Sequence, residues 1–447
     1  MELFGTAGIR GSSTDRVTPE LALAVGRAAG VDAEEFVLGR DGRETGGALA
    51  DAMAAGLRSA GADVRRVGVV PTPALAFASR GRRGVMLTAS HNPPQDNGIK
   101  LFDDGTEYDA GQESTIEDRV AADDPPAAWD AWGDAEHADV LDEYRTAVAA
   151  YAREFGASLD GLKVVVDCGN GMGSVATPHV LESLGAEVVA LNANVDGHFP
   201  GRPSKPTPET LGDFTNFVAN ADCAFGVAHD GDADRIVIVD ASGEVVHEDT
   251  VLAVLAERYT RASGALDPVV VTTPNASARI DERVRAAGGR VERVRLGALH
   301  EGIASAEAAG GDVVYAAEPW KHIHPGFGGW IDGVASAAVL SRLVAAEGLD
   351  ALRAPVTERP YRKVSVDCPD ERKAAVMDAL ETEIPAAFPD ADIDTEYGVR
   401  AEFSDGSWTL VRPSGTEPYV RVYAEADDVD ALVDDVAELV EGAVANT

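Results

Sequence analysis

A serine with a histidine beside it stands where an apolar, strand-like run ends. Ser90 and His91 follow residues 84–87 and precede two prolines. A hydroxyl at the end of a buried strand, held in place by a turn, is a candidate covalent nucleophile. A serine that only hydrogen-bonds within the turn is the alternative. Because the esterase pattern G-x-S-x-G is absent, acyl transfer is disfavoured.

Three aspartates alternate with small residues between two other strand-like runs. Asp230, Asp232 and Asp234 occupy positions i, i+2 and i+4, and Arg235 follows them. Carboxylates at this spacing can converge on one hard cation and leave coordination positions open for a phosphate oxygen. A calcium loop of the EF-hand type is disfavoured, because its sixth position should be glycine and is Arg235. A solvated acidic loop is the alternative.

The sequence RPSGTEP joins two predicted strands near the C-terminus. Arg412 offers a forked guanidinium, and Arg421 adds a second cation a few residues on. Ser414, Gly415 and Thr416 offer two hydroxyls and an unobstructed backbone N–H. These groups together can bind a phosphate, although a plain hairpin turn is the alternative. Neither a Walker-A motif nor G-x-G-x-x-G opens a helix here, so the segment gives nucleotide binding no support.

The elements that must position these segments form a repeated unit. Strand-like runs near residues 36, 164 and 269 are each followed by a helical stretch and a second strand-like run. The second run begins 22 to 27 residues after the first, which is the length of a strand–helix–strand crossover between parallel strands. The three units predict an α/β fold of three similar domains with mixed, mainly parallel sheets.

The last ninety residues follow a different pattern, which predicts a C-terminal α+β domain with two helices backing an antiparallel sheet. The expected strands are residues 363–366, 399–403, 407–412 and 419–425, and the expected helices are residues 371–384 and 428–443. The predicted domains comprise residues 1–145, 146–247, 248–355 and 356–447.

The charge of the chain limits its partners. Acidic residues outnumber basic ones by 76 to 38, so the net charge is −38. Nucleic acid and anionic membranes are therefore not expected partners. The chain has no signal-like start and no apolar run of spanning length, which predicts a cytoplasmic protein. The three cysteines are far apart in the sequence and are expected to be reduced.

The motifs TASHNP, DGDADR and RPSGTEP, in this order and after GTAGIRG at the start, resemble the α-D-phosphohexomutase superfamily. The resemblance spans nearly the whole chain. It implies four domains around a central cleft and an isomerase that moves phosphate between the 1- and 6-positions of a hexose. In that family the phosphate passes through a phosphoserine and a bound bisphosphorylated sugar.

The resemblance also implies roles for individual residues. Ser90 would be the phosphoserine and, with the three aspartates, would hold one Mg²⁺ per chain. The transfer site would be lined by Arg10, His91, Lys100 and Arg235, with either His91 or Lys100 as the general acid or base. The phosphate that is not transferred would be bound by Arg412, Ser414, Gly415, Thr416 and Arg421. A sugar 1,6-bisphosphate is the expected activator.

The sugar-reading loop departs from the family pattern. The family commonly has Gly-Glu-x-Ser-Gly-His or Gly-Glu-x-x-Gly-Gly, whereas this chain has AEPWKH at residues 317–322. Glu318 and His322 keep their register, so hydrogen bonds to sugar hydroxyls are expected from them. Trp320 and Lys321 replace small residues. Trp320 either stacks on the sugar ring or fills a domain interface, and Lys321 is a further candidate for substrate binding.

Phosphoglucosamine mutase activity is the favoured expectation. Phosphomannomutase or phosphoglucomutase activity and phosphopentomutase activity are close alternatives. A metal-dependent phosphatase could use the same serine and aspartates, and a non-enzymatic sugar-phosphate sensor would bind without turnover. The expected partner is a small phosphosugar, and the chain is expected to be a monomer or a homodimer.

The scarcity of lysine generates a prediction about salt. Only six of the 38 basic residues are lysine, and an acidic, lysine-poor composition is typical of proteins from salt-saturated cytoplasm. An ordinary acidic protein is the alternative. At 0.01 M salt the screening length grows to about 30 Å, so the negative charges should repel one another across the fold. We expect unfolding or loss of activity on desalting and recovery in molar KCl, measured by circular dichroism and by assay of activity. An unchanged melting temperature in dilute buffer would contradict the halophilic interpretation.

Overall fold

The computed structural model describes residues 3–5, 8–414 and 417–447. Its internal contacts divide the chain into two compact units. The first unit comprises Met1–Glu248 and Trp320–Leu352, and the second comprises Asp249–Pro319 and Arg353–Thr447. The chain therefore leaves the first unit, forms part of the second, returns for about thirty residues and then completes the second.

The N-terminal region of the first unit is built on a seven-stranded mixed sheet of order β1-β5-β4-β2-β3-β7, with β6 beside β5. Its strands are β1 (Ile9–Ser12), β2 (Glu35–Arg40), β3 (Asp63–Val69), β4 (Arg83–Leu87), β5 (Asp96–Asp103), β6 (Thr106–Glu107) and β7 (Ala135–His137). Its helices are α1 (Pro19–Ala29), α2 (Gly46–Ser59), α3 (Thr72–Ala78), α4 (Ala110–Ala122) and α5 (Leu141–Ala152). The strands β2, β3, β4 and β7 are parallel, whereas β5 is antiparallel to both β4 and β1.

Local sequence signals explain where two of these helices begin. The side chain of Thr18 accepts a hydrogen bond from the backbone N–H of Leu21, and Pro19 occupies the first helical position of α1. Asp109 and Gln112 form a reciprocal capping box at the start of α4. Each cap satisfies backbone N–H groups that the first helical turn would otherwise leave unpaired.

The second region has a four-stranded sheet of order β11-β10-β8-β9. Its elements are β8 (Lys163–Asp167), a 3-10 turn (Met172–Val175), α6 (Thr177–Ser183), β9 (Glu187–Leu191), α7 (Gly212–Asn220), β10 (Phe225–His229) and β11 (Ile236–Asp240). Strands β8, β9 and β10 are parallel, and β11 is antiparallel to β10. All residues of β10 and β11 are buried, as expected for central strands covered on both faces.

The third region belongs to the second unit and begins with a long helix. Its elements are α8 (Glu248–Ala262), β12 (Pro268–Thr272), α9 (Ala278–Ala286), β13 (Arg290–Arg293), α10 (Leu299–Ala308) and β14 (Asp312–Glu318). Strand β12 is parallel to β13 on one side and to β14 on the other. The three strand–helix–strand repeats of the sequence therefore all form parallel pairs, as predicted.

The chain then returns to the first unit with β15 (Lys321–Ile323), α11 (Gly333–Glu347) and α12 (Leu349–Arg353). Helix α11 packs against α5 and α6. It begins beside the acidic loop between β10 and β11, because a Cβ atom at Gly333 would lie only 2.7 Å from the carbonyl oxygen of Arg235. Only a glycine permits this close approach of backbone to backbone.

The C-terminal region has a five-stranded antiparallel sheet of order β16-β20-β19-β18-β17. Its elements are β16 (Tyr361–Asp367), a 3-10 turn (Asp370–Arg372), α13 (Lys373–Ala387), β17 (Asp392–Asp394), β18 (Val399–Glu402), β19 (Trp408–Pro413), β20 (Tyr419–Glu425) and α14 (Val429–Asn446). The predicted antiparallel sheet with two helices is confirmed, and the sequence missed only the three-residue strand β17. The four domain boundaries themselves stay a prediction.

Among the described residues, no helix is both long and apolar enough to cross a lipid bilayer. The predicted fold class is confirmed: several mixed, mainly parallel sheets precede an antiparallel C-terminal one.

A buried ion pair joins α9 to β20 inside the second unit. Arg279 Nη2 lies 2.7 Å from Glu425 Oε1, and both side chains are almost completely buried. Arg279 also donates to the hydroxyls of Thr250 and Ser277, and the indole N–H of Trp408 donates to Glu425. The pair is therefore fully hydrogen-bonded, which is the condition under which buried charges are tolerated.

Removing one partner of this pair should destabilise the second unit. Arg279→Ala leaves Glu425 buried without its cation, and we expect the free energy of unfolding to fall by about 3–5 kcal/mol. The control is Arg362→Ala, which breaks the exposed pair with Asp430 and should cost at most about 1 kcal/mol. Denaturant unfolding in high salt measures both. Equal losses of unfolding free energy in the two variants would show that the buried pair stabilises the protein no more than the exposed pair does.

Candidate active site

Ser90 lies just beyond the carboxyl end of β4, and its side chain is fully buried. Its hydroxyl donates a hydrogen bond of 2.7 Å to Asp230 Oδ2. The Nδ1 atom of His91 is 3.4 Å from the same hydroxyl. The backbone of Ser90 has a φ of +51°, a left-handed conformation that is uncommon for a residue other than glycine. The serine and the first aspartate are therefore in direct contact.

The three aspartates line the loop between β10 and β11. Asp230, Asp232 and Asp234 are all buried, and one carboxylate oxygen from each lies within 4.8 Å of the others. Within the described part of the chain, Asp232 Oδ1 and Asp234 Oδ1 are buried without a hydrogen-bond partner. Oxygen atoms clustered in this way and left without donors suit a hard divalent cation. The residues present therefore fit Mg²⁺.

The loop approaches the serine closely enough to require glycine. A Cβ atom at Gly231 would lie 2.5 Å from the carbonyl oxygen of Ser90. A larger residue at position 231 would therefore push the aspartates away from the serine. Gly231, one of the two small residues between the aspartates, is thus required for the contact itself.

Opposing influences separate the pKa values of the carboxylates. Burial, together with the neighbouring charges of Asp234 and Asp232, raises the pKa of Asp230 well above its ordinary value. Burial also acts to raise the pKa of Asp234, but the charges of Lys100 and Arg235 outweigh it, so the pKa of Asp234 lies below its ordinary value. The cluster therefore contains one carboxylate that resists ionisation and one that is firmly charged.

Basic side chains surround this cluster. Lys100 on β5 is buried, and its Nζ lies 3.1 Å from both Asp234 Oδ2 and Glu107 Oε1. Arg235 Nε is 3.8 Å from Asp230 and 3.6 Å from Asp234. Arg10 on β1 contributes a positive charge that acts on His91. The structure thus brings together all the residues that the sequence placed at the transfer site.

The two candidates for proton transfer have opposite protonation states. Burial and the nearby charges of Arg235 and Arg10 lower the pKa of His91 to about 2, so its imidazole is neutral. Burial alone would lower the pKa of Lys100, but Glu107 and Asp234 outweigh it and hold the pKa above its ordinary value. At neutral pH, His91 is therefore the unprotonated member of the two, and Lys100 is the protonated one.

The predicted sugar-reading loop, residues 317–322, is divided between the two units. Glu318 ends β14 in the second unit, where its carboxylate accepts a hydrogen bond from the backbone N–H of Gly297. His322 lies on β15 in the first unit, is buried, and has its Nδ1 atom 3.0 Å from the hydroxyl of Ser336.

Trp320 and Lys321 occupy the same unit as the aspartates. Trp320 packs against the hydrophobic core of the second region, and its backbone has a φ of +74°. Lys321 pairs with Arg235 through an antiparallel backbone bridge, and its charge is one of those that lower the pKa of Asp234. Trp320 thus contributes to a protein core, and Lys321 to the charge around the acidic loop.

Two arginines lie opposite each other in the C-terminal sheet. Arg412 on β19 and Arg421 on β20 are register partners, and like charges in such positions destabilise a sheet unless an anion lies between them. Arg412 also donates to the hydroxyl of Tyr423, and Arg421 to the hydroxyl of Tyr419. Ser414 is buried beside them. The remaining predicted residues, Gly415 and Thr416, lie outside the described residues.

Several polar residues that hold these sites in place were given no role by the sequence analysis, although Thr88 lies within its TASHNP motif. Thr72 and Thr88 donate to Asp232, and Arg43 donates to backbone carbonyls of the serine loop. Lys373 donates to the carbonyl oxygens of Ser414 and Glu417. The rarity of lysine was the one available signal for Lys373. The arginine and the threonines carry no local signal beyond their position after strands.

The chain matches three domain descriptions of one family. They are phosphoglucomutase/phosphomannomutase alpha/beta/alpha domain I over residues 1–127, alpha/beta/alpha domain II over residues 142–243, and the C-terminal domain over residues 364–443. The three matches together cover more than half of the chain.

Individual relatives agree with these matches. A phosphopentomutase of Thermococcus kodakarensis is 42% identical, over 95% of this chain and 94% of the relative. A probable phosphoglucosamine mutase of Methanopyrus kandleri is 43% identical, with the same coverage of both chains. The crystal structure of a phosphoglucomutase/phosphomannomutase family protein from Burkholderia thailandensis matches with a TM-score of 0.87 and 27% identity, over 99% of this chain and 97% of the other.

The fold, the paired serine and acidic loop, and these similarities lead to one assignment. The chain belongs to the phosphoglucomutase/phosphomannomutase family of the α-D-phosphohexomutase superfamily, whose members are mutases of the isomerase class.

Proposed function

We propose that this mutase uses Ser90 to carry a phosphoryl group between two hydroxyls of one sugar phosphate. The observation that supports this most directly is the 2.7 Å hydrogen bond between the Ser90 hydroxyl and Asp230, inside a buried cluster of three carboxylates. A nucleophile oxygen beside a cation site is the arrangement that phosphoryl transfer requires.

The proposed transfer step needs no reactant other than phosphorylated Ser90 and the sugar phosphate. The bond between Ser90 Oγ and phosphorus breaks as a bond from phosphorus to a sugar hydroxyl oxygen forms. The sugar hydroxyl gives its proton to neutral His91, whose Nδ1 lies 3.4 Å from Ser90 Oγ. His91 passes that proton on to Ser90 Oγ, which leaves phosphorus as a hydroxyl. The bisphosphorylated sugar then returns its other phosphate to Ser90 by the reverse step. Lys100, Arg235 and Arg10 remain fixed positive charges that stabilise the transferring group.

Mg²⁺ is the proposed cation. Asp230, Asp232 and Asp234 would hold it together with an oxygen on Ser90, one ion per chain. When bound, Mg²⁺ supplies charge neutralisation at the phosphoryl group. The raised pKa of Asp230 is consistent with a cluster in which the carboxylates repel one another until a cation is present.

The remaining residues are proposed to read the substrate. Arg412, Ser414, Gly415, Thr416 and Arg421 would bind the phosphate that is not transferred, and the register pairing of the two arginines supports an anion between them. Glu318 and His322 would bind sugar hydroxyls, with Lys321 close to the acidic loop. A sugar 1,6-bisphosphate would serve as activator by phosphorylating Ser90.

Glucosamine phosphate is the proposed substrate, so that the activity is that of a phosphoglucosamine mutase. Relatives that carry this name, such as the one from Methanopyrus kandleri, support it. Pentose phosphate is the second candidate, because the relative from Thermococcus kodakarensis, which is 42% identical, is a phosphopentomutase. Mannose and glucose phosphates complete the set to be assayed.

The proposed metal site generates a prediction for Asp232→Asn. The substitution keeps the shape of the loop but removes one negative charge, so we expect mutase activity to fall at least about 100-fold and the Mg²⁺ requirement to rise. The melting temperature should stay unchanged or rise slightly, because like-charge repulsion is relieved. Magnesium titrations of activity measure the effect. Asp213→Asn, an exposed residue on α7, is the control that should behave as wild type. Full wild-type activity in EDTA would refute the metal assignment.

The proposed carrier generates a prediction for Ser90→Ala. We expect wild-type protein incubated with ³²P-labelled bisphosphate to carry label on the peptide that contains Ser90, about 80 Da heavier than the unmodified peptide. Ser90→Ala should lose both the label and several orders of magnitude of turnover, because no other hydroxyl is proposed to accept the group. Binding of sugar phosphate should persist.

The substrate panel belongs to the same experiment. Wild type and Ser90→Ala are assayed with the 1-phosphates of glucosamine, mannose, glucose and ribose, and free phosphate is measured alongside isomer. Release of phosphate in place of isomer would identify a phosphatase, and binding without either product would identify a sensor. Full mutase activity in Ser90→Ala would exclude Ser90 as the carrier.

A further inference from the structure

The backbone of Ser90 is held in an unfavourable conformation. Its φ of +51° places a residue with a Cβ atom in the left-handed region, which costs of the order of 1–2 kcal/mol. Such a conformation persists only where the surrounding structure enforces it. The groups that hold Ser90 therefore decide where its hydroxyl points.

Hydrogen bonds hold both backbone polar groups of Ser90. Its N–H donates to Thr88 Oγ1 at 2.9 Å, and its carbonyl oxygen accepts from Arg43 Nη2 at 2.9 Å. These two partners come from different strand ends, Thr88 after β4 and Arg43 after β2. The residue is thus fixed from both sides while its hydroxyl contacts Asp230.

Arg43 holds the rest of the serine loop as well. Its Nη2 donates to the carbonyl oxygen of Asn92 at 2.8 Å. Its Nη1 donates to the carbonyl oxygens of Pro93 at 2.6 Å and of Asp96 at 2.9 Å. With the bond to Ser90, one guanidinium satisfies four carbonyl groups of a seven-residue segment. A forked, planar cation can do this, whereas the point charge of lysine cannot.

Arg43 is itself immobile. It is completely buried, and its Nε lies 3.0 Å from Asp41 Oδ2. Its backbone N–H donates to the other oxygen of Asp41 at 3.0 Å, and its guanidinium lies over the ring of Phe199 at 5.1 Å. The hydroxyl of Thr88 lies 2.7 Å from Asp41 Oδ2. Asp41 therefore links the two groups that hold Ser90.

Thr88 also connects the serine to the acidic loop. Its hydroxyl lies 3.2 Å from Asp232 Oδ2, an oxygen that also accepts a 2.6 Å hydrogen bond from Thr72. One threonine hydroxyl thus contacts the backbone of Ser90, the carboxylate of Asp41 and the carboxylate of Asp232.

We propose that Arg43 and Thr88 are positioning residues that hold Ser90 in its left-handed conformation, so that its Oγ faces the acidic loop. Neither side chain is assigned a contact with the sugar. The inference rests on the proposed function, in which Ser90 carries the phosphoryl group. Misplacing the carrier changes the reaction geometry without removing substrate contacts, so kcat should fall while KM is preserved.

The test compares two substitutions of Thr88 that separate its hydroxyl from its methyl group. Thr88→Val keeps the shape and removes the hydrogen bonds, and we expect kcat and the rate of Ser90 labelling to fall about 10- to 100-fold. Thr88→Ser keeps the hydroxyl, and both rates should stay within about threefold of wild type. KM for the sugar phosphate should stay within about threefold in both variants.

Two further variants complete the experiment. Thr72→Val removes a donor to Asp232 but no contact with the serine loop, so it should change the Mg²⁺ requirement more than the labelling rate at saturating Mg²⁺. Arg43→Lys keeps a positive charge beside Asp41 but cannot reach four carbonyls. It should lower kcat and the labelling rate, again with KM preserved. If Arg43→Lys does not fold, the Thr88 pair decides the question.

The labelling readout separates failure of this inference from failure of the proposed function. If wild type is not labelled at Ser90 by ³²P-labelled glucose 1,6-bisphosphate, the proposed function is wrong and the inference falls with it. If wild type is labelled and Thr88→Val is labelled at the same rate, the positioning role is wrong and the function stands. Equal losses in Thr88→Ser and Thr88→Val would also overturn the inference, since packing would then explain both.

Discussion

Repulsion among three buried carboxylates is the constraint on which the first unit depends. Asp230, Asp232 and Asp234 lie within 4.8 Å of one another and away from water, where unpaired charges are costly. Lys100 and Arg235 offset part of that repulsion. In the part of the chain that the structure describes, Asp232 Oδ1 and Asp234 Oδ1 still lack hydrogen-bond donors, and they lie in the same small cluster of carboxylate oxygens. Such a cluster costs stability, and the proposed divalent cation would neutralise it.

The architecture of the first unit follows from the need to bring this cluster against one serine. The serine loop follows β4, whereas the acidic loop joins β10 to β11 in a different sheet. Each loop is anchored by largely buried strands, so the approach of the two is fixed by rigid elements. Gly231 permits the final contact, because any Cβ there would collide with the Ser90 carbonyl. The strands that carry the two loops and the small size of Gly231 together determine the distance between Ser90 and the aspartates.

The sequence could predict the parts of the site whose residues lie next to one another in the chain. Residue type and spacing alone indicate the serine–histidine pair and the alternating aspartates as candidate site residues. The strand–helix–strand repeats predict the parallel sheets. The contacts of Arg43 could not be predicted, because they join residues about fifty positions apart. Trp320 could not be interpreted either, since an aromatic residue in a loop suits a sugar ring and a protein core equally well until its neighbours are known.

The few lysines of this chain include two that contact residues of the candidate site. The chain has a net charge of −38, and only six of its 38 basic residues are lysine. Two of the six lysines each contact two oxygen acceptors: buried Lys100 contacts Asp234 and Glu107, and the partly buried Lys373 donates to the carbonyl oxygens of Ser414 and Glu417. A compact ammonium group with three donors can satisfy two acceptors in a narrow space where a planar guanidinium would not fit. The geometry of the ammonium group, and not its charge alone, therefore suits Lys100 and Lys373 to their positions.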